Sequence, residues 1–536
     1  MDLNLKEYKK PLMCAIIQWF ITTILQIDRL FFTYDYENKK FLLIKILYLA
    51  LLVVVWSFIH NFIKEIKSEN QAYKRGLQIF AVYFSILMIL LLFLWPGTWA
   101  WDDLGTLTDI SDYCSFNAWQ HILTGIYQDV LLQVLPFPGG IIFLQNCIIA
   151  TCVAFTIIKL ENAFDIRKIK ITIIDIMLKF LPFLLPPVLM YQFSGYRMGV
   201  YVYLELTMII MLVCAIKDKE EWSWKYIGIF SFLTVVVACW RTESFLYVPS
   251  ACILLLFIKK NILPRKKKII CMVAMIVGFV GMTKWQNISL GNSNYKIISL
   301  LRPCAEVVRA ADYAEDEDEL EAIDKVLDLE VIHNNPTYQG EQLYWSTSCV
   351  RRYSQEEYTD FLKAFIKLSL KYPKVVLTER WNIFAIGMGI TGEAVRNVDS
   401  TAYLFEAGNE NSMAWKFLSG DWVFNKPAFK QLRKVLILAL GMQTYDGQLI
   451  GIANRLVWNA CFPIIFLIYA WFKLLLQRKW YLWFICSMVI VRIPIVFLTA
   501  PASWTMYFLS FYFLGYVYIV YKLWIHFSRK KGLVDE

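Results

Sequence analysis

The sequence predicts an all-α polytopic membrane protein of about 12 transmembrane helices, with a mainly α-helical extracytoplasmic region between the ninth and tenth. Three observations carry this. Hydrophobic residues are 58% of the chain and mean hydropathy is +0.48, too apolar for a soluble protein of 536 residues, whose surface needs more charge. Apolar runs recur at near-spanning length along most of the chain. Lysine and arginine gather in alternate loops, all on one side of the spans.

The runs lie at 12–33, 41–63, 76–95, 141–158, 171–190, 198–215, 226–240, 244–258, 269–285, 455–475, 481–498 and 505–526. The longer ones cross a hydrocarbon core of about 30 Å alone, whereas 226–240 and 244–258 would each reach about 23 Å and are expected to form a short hairpin. The first run carries Asp28 and Arg29 near its end and reads as spanning or interfacial. It lacks a small-residue cleavage site and leads into further apolar runs, so it is not read as a signal peptide. The loops 64–75, 159–170, 217–225, 259–268 and 473–479 and the tail 529–531 are all basic. Both termini are therefore expected in the cytoplasm. This divides the chain into an N-terminal membrane module 1–285 with an outer loop 96–140, an extracytoplasmic region 286–451 and C-terminal membrane helices 452–536.

The formal charge of +10 fits topology and lipid-headgroup contact rather than nucleic acid, because the excess cations sit in those short loops. The 12 cysteines are scattered singly without CxxC or His/Cys ligand spacing, which argues for neither a zinc site nor a disulfide framework. Only Cys114, Cys304 and Cys349 fall clearly in outer loops. Within 286–451, residues 312–330 read as an amphipathic helix with an acidic first turn and lack the glycine and alternating ligands of an EF-hand. A second is expected over 355–371, ended by Tyr372-Pro373, and a third over 427–440, lying along outer headgroups with Arg433 and Lys434.

Four places hold polar groups where polarity is costly. From Gly76 to Ile158 there is no lysine or arginine, yet the loop after the third run reads Trp95-Pro96-Gly97-Thr98-Trp99-Ala100-Trp101-Asp102-Asp103. Adjacent carboxylates point in different directions, so one of Asp102 and Asp103 is expected to act. His121 follows in Trp119-Gln120-His121. Arg241 and Glu243 stand at the hairpin turn, either as site groups or as a solvated tip with a local ion pair. Arg197 and Glu205 lie at the outer end of 198–215, where a carboxylate in an apolar run needs a partner or a cavity.

These residues resemble the GT-C superfamily of polytopic membrane glycosyltransferases. The likeness is nearest to a bacterial, largely uncharacterised branch with a Pro-Gly-Thr-x-x-x-Asp motif, matched by Pro96-Gly97-Thr98 and Asp102. The architecture covers most of the chain and the sequence likeness only a handful of positions. The resemblance implies a bacterial cytoplasmic membrane and a polyprenyl-phosphate sugar donor, with a glycan, lipid or protein acceptor of the cell envelope. It places the catalytic aspartate at Asp102 and the donor-phosphate arginine at Arg241. Asp103 stands where that branch often has serine, and the His-Pro pair of relatives is replaced by Trp119-Gln120 with His121 displaced, which puts the role of His121 in doubt.

The chemistry suits such a donor. Glycoside hydrolases need a second carboxyl to protonate a departing alcohol, whereas a polyprenyl phosphate leaves readily. One carboxylate acting on the acceptor hydroxyl and cations on the phosphate then suffice. On this reading Asp102 is the base, Arg241 neutralises the phosphate, and Arg197, Glu205 and Glu243 shape the pocket. A divalent cation at Asp102 or Asp103 is compatible with the carboxylates, but no second ligand set is visible, so no cofactor is assigned. Two other classes fit intramembrane charges: a transporter or flippase of a lipid-linked saccharide, which would show paired halves that are not apparent here, and a membrane scaffold protein.

Overall fold

The computed structural model describes residues 5–25, 39–68, 70–99, 101–113, 116, 118–164, 178–218, 220–291, 293–392, 427–440 and 455–530. Among the described residues the structure is helical, with two isolated bridges and no strand. The first half contains α1 (Leu5–Ile24), α2 (Lys39–Lys67), α3 (Gln71–Leu94), α4 (Trp101–Tyr113), α5 (Ile122–Val134), α6 (Pro138–Ala163), α7 (Pro186–Gln192), α8 (Met198–Ala215), α9 (Trp224–Trp240), α10 (Tyr247–Phe257) and α11 (Arg265–Leu290). There follow α12 (Ile298–Ala310), α13 (Glu317–Asp324), α14 (Leu329–Asn334), α15 (Gly340–Trp345), α16 (Gln355–Lys371) and α17 (Pro373–Gly387). The chain closes with α18 (Lys430–Ala439), α19 (Cys461–Leu476), α20 (Trp480–Ile490), α21 (Arg492–Thr499) and α22 (Leu509–Lys530).

Among the described residues, seven helices are long and apolar enough to cross a membrane: Phe41–Lys67, Gln71–Leu94, Pro138–Ala163, Met198–Ala215, Arg265–Leu290, Arg455–Leu476 and Trp480–Thr499. They mark the chain as a membrane protein. The other five expected spans differ for identifiable reasons. Residues 26–33 of the first and 171–177 of the fifth lie outside the described residues, as does Cys114. What is described of the fifth is broken by Pro182, Pro186 and Pro187 into a 3-10 turn and α7, because proline removes backbone donors. The hairpin runs form α9 and α10, of 17 and 11 residues. The last run coincides with a 3-10 turn at Thr505–Tyr507 and α22. One apolar helix escaped the hydropathy reading: α5, of 13 residues, lies inside the loop 96–140.

The apolar pattern runs inside out, as lipid solvent permits. Helix α8 is buried nearly all round, whereas α11 buries only Lys268, Cys271 and Met275. Between helices the glue is polar. The Gln145 amide donates to the carbonyls of Gln192 and Ser194 at 2.9 Å each and accepts from the Tyr127 hydroxyl at 3.1 Å. Gln192 accepts from Tyr203 at 2.9 Å and donates to Asn146 at 3.1 Å.

The bundle has two chemically distinct ends. At one, Glu161 is buried between Arg75 at 3.0 Å and Lys179 at 2.7 Å, and Lys159 meets Asp218 at 3.2 Å. The basic loops therefore converge. At the other end stand the C-terminus of α3, the N-terminus of α8 and the α9–α10 turn. Residues 294–376 build their own apolar core around Leu301, Cys304, Val308, Leu320, Phe361 and Leu368. There the expected 312–330 helix is two shorter ones, α13 and α14, and Asp316 joins them to α16 through Lys371 at 2.7 Å and Tyr372 at 2.7 Å. Helix α16 has the expected bounds, and Ser354 with Glu357 closes a capping box at its start.

The loop between α3 and α4 is held by a seam to residues 193–195. Thr98 donates its amide to the Phe193 carbonyl at 2.8 Å and accepts from the Gly195 amide at 3.3 Å. Gly97 takes φ of 95°, which favours glycine. The fully buried Trp99 ring lies over Gly195, where a Cβ would sit 2.3 Å from the ring. Gly195→Ala is therefore expected to cost about 1–3 kcal/mol through overpacking, read as a lowered midpoint of denaturation in detergent. Gly228→Ala, with nothing within 4 Å of its Cβ position, serves as the control; equal midpoints for the two would contradict the seam.

Candidate functional site

Asp102 and Asp103 open α4 directly after the seam. Asp103 is fully buried while Asp102 is half-buried, as expected for neighbours on a helix. Burial raises the Asp102 carboxyl to about 6, against the pull of the Arg197 charge. Arg197 follows the other side of the seam, at the start of α8. Its guanidinium donates to the carbonyls of Gln120 and, at 3.3 Å, Trp240, and its Nε has no partner among the described residues. The site thus holds a cation whose hydrogen bonds go to neutral carbonyls.

His121 acts as a helix cap. Its φ is 79°, and its Nδ1 accepts from the Leu123 amide at 3.2 Å at the start of α5. Burial, with the Arg197 charge adding, pushes it down to about 4, so it is neutral at pH 7. The adjoining Gln120 is fully buried, and its side-chain amide has no partner among the described residues. Ile122 donates to Gln286 at 2.9 Å, fixing this loop to α11.

The α9–α10 turn is a buried, paired structure rather than a solvated tip. Arg241 donates to Glu243 at 2.8 Å and lies 5.2 Å from the centroid of the Tyr507 ring. Glu205 also has its partner: Arg492, at the α20–α21 break, bonds its carboxylate, assisted by the Tyr247 and Ser510 hydroxyls. Arg492 reaches Glu243 at 3.7 Å, so Glu205, Arg492, Glu243 and Arg241 alternate in charge. Glu205, Glu243 and Arg241 are therefore all engaged in ion pairs. The charges of Arg241 and Asp102 both act on the Tyr196 and Tyr295 hydroxyls; burial raises Tyr196, and it pushes Tyr295 up to about 12.

Three groups were missed by sequence reading. Arg492 was visible as a lone cation in an apolar run, which demands a partner. Arg433 of α18, expected at the headgroups, is instead buried and donates to the Gly97 carbonyl at 3.0 Å. Glu341 of α15 carried no local signal. Burial lifts its carboxyl to about 7, the Asp102 charge adding and Arg302 opposing. Among the described residues no three His, Cys, Asp or Glu side chains form a metal-binding group.

Removing one member of the buried ladder should strand a charge. Arg492→Met is expected to lower stability by about 3–5 kcal/mol because it leaves Glu205 unpaired, and adding Glu205→Leu should restore much of it. Denaturation midpoints in detergent read both, and an unchanged midpoint for the single variant would contradict the pairing. Compared with known proteins, the chain matches no family model, no curated protein and no solved structure.

Proposed function

We propose that the protein is a membrane glycosyltransferase of the GT-C kind, moving a sugar from a polyprenyl-phosphate donor to a cell-envelope acceptor at the extracytoplasmic face of a bacterial cytoplasmic membrane. The observation that carries this reading is the buried carboxyl of Asp102 within the electrostatic reach of Arg197, a cation bonded to backbone carbonyls, at the bundle end opposite the basic loops. Positive loops mark the cytoplasmic side, so the site faces outward and both termini lie within.

Asp102 accepts the proton of the acceptor hydroxyl as that oxygen attacks the anomeric carbon. Its carboxyl lies at about 6, basic enough to act and still ionised at neutral pH. Arg197 takes the departing phosphate first, because its guanidinium is held by carbonyls, whereas Arg241 is engaged by Glu243. Arg241 then supplies a second, more distant positive field.

Transfer of radiolabelled sugar from a polyprenyl-phosphate donor in isolated membranes tests the assignment. Asp102→Asn is expected to lower transfer by about 10²–10⁴-fold, and near-normal transfer would refute it. Because the base must be ionised, activity should rise with pH through about 6 and level off above it. Arg197→Ala should weaken donor use more than Arg241→Ala does.

A further inference from the structure

Four aromatic rings bridge the loop before α5 to the 294–376 unit. Trp119 lies 6.1 Å from Tyr295 and 5.6 Å from Trp345, and Tyr344 lies 5.7 Å from Tyr295 and 4.8 Å from Trp345. The innermost, Tyr295, lies within the fields of Asp102 and Arg197. The outermost, Trp345, remains 56% exposed. The cluster thus forms a continuous aromatic patch that reaches the surface at Trp345.

Glu341 stands one turn before Trp345 on α15, so both side chains share a helix face. Its Oε2 is buried without a hydrogen-bond partner among the described residues. A polar atom left so is costly unless a ligand completes it. The helix is rigidly placed: Gln339 accepts from the Ser503 amide at 2.8 Å, Gly340 donates to the Pro501 carbonyl at 3.2 Å, and a Cβ on Gly340 would lie 2.9 Å from that oxygen.

We propose that α15 recognises a saccharide acceptor, Trp345 stacking on the apolar face of a sugar ring while Glu341 exchanges hydrogen bonds with its hydroxyls. An aromatic face beside a hydroxyl-binding carboxyl matches a sugar, which is apolar on its ring faces and polar around its rim. The inference deepens the transferase reading by choosing a glycan among the possible acceptors, and it rests on that reading for the word acceptor.

The test uses the full chain in phosphatidylcholine nanodiscs and a panel of short fluorescent homo-oligosaccharides of glucose, galactose, mannose, rhamnose and N-acetylglucosamine. At least one should bind, about tenfold more weakly to Trp345→Ala and Glu341→Ala. Trp345→Phe, which keeps a ring, and Trp381→Ala, outside the cluster, should bind like the parent. Failure of the whole panel to bind, or binding unchanged in both alanine variants, overturns the proposal. So does a Trp345→Ala variant whose only change is a melting temperature that depends on lipid composition, which would make the ring a bilayer anchor. Glycan binding with this pattern but no sugar transfer would refute the transferase reading alone. Transfer with an unaltered acceptor KM in Trp345→Ala would refute the saccharide site alone.

Discussion

The seam between Thr98 and residues 193–195 is the constraint on which the site depends. Two backbone hydrogen bonds join a loop leaving α3 to a loop entering α8, and the segments that leave the seam carry Asp102 on one side and Arg197 on the other. It brings two residues 95 positions apart within each other's electrostatic reach. The Pro96-Gly97-Thr98 sequence is thus chiefly architectural. Gly97 supplies the positive φ, Thr98 the pairing, and the buried Trp99 ring the clamp over Gly195. Arg433 then secures the Gly97 carbonyl from α18.

Charge accounting explains which polar groups remain for chemistry. Isolated charge is expensive away from water, and the alternating row of Glu205, Arg492, Glu243 and Arg241 is balanced within itself. The triad of Arg75, Glu161 and Lys179 anchors the opposite end. Arg197 is different, since it is steadied by carbonyl dipoles and its charge acts on Asp102, a carboxyl that burial raises. Such a balance leaves room for a negatively charged ligand.

The helical membrane architecture was legible because the period and length of apolar runs report directly on lipid exposure. Seven spans and the bounds of α16 follow from that signal. What was illegible depends on contacts between distant segments. Pro182, Pro186 and Pro187 were present to warn that 171–190 is interrupted, but hydropathy alone passes over them. Glu205 announced that it needed a partner; Arg492, 287 positions away, is found only once the helices pack. His121 was visible as one of four histidines, whereas its positive φ and its bond to Leu123, which cap α5, come only with the fold. Glu341 was invisible because the placement of α15 comes from its docking against residues 501–503.

The most direct test is a structure of the full chain with a bound polyprenyl phosphate. Phosphate density is expected within hydrogen-bonding reach, about 3 Å, of the Arg197 guanidinium, on the side of Asp102. Density at the opposite end, against Arg75 and Lys179, would contradict that expectation.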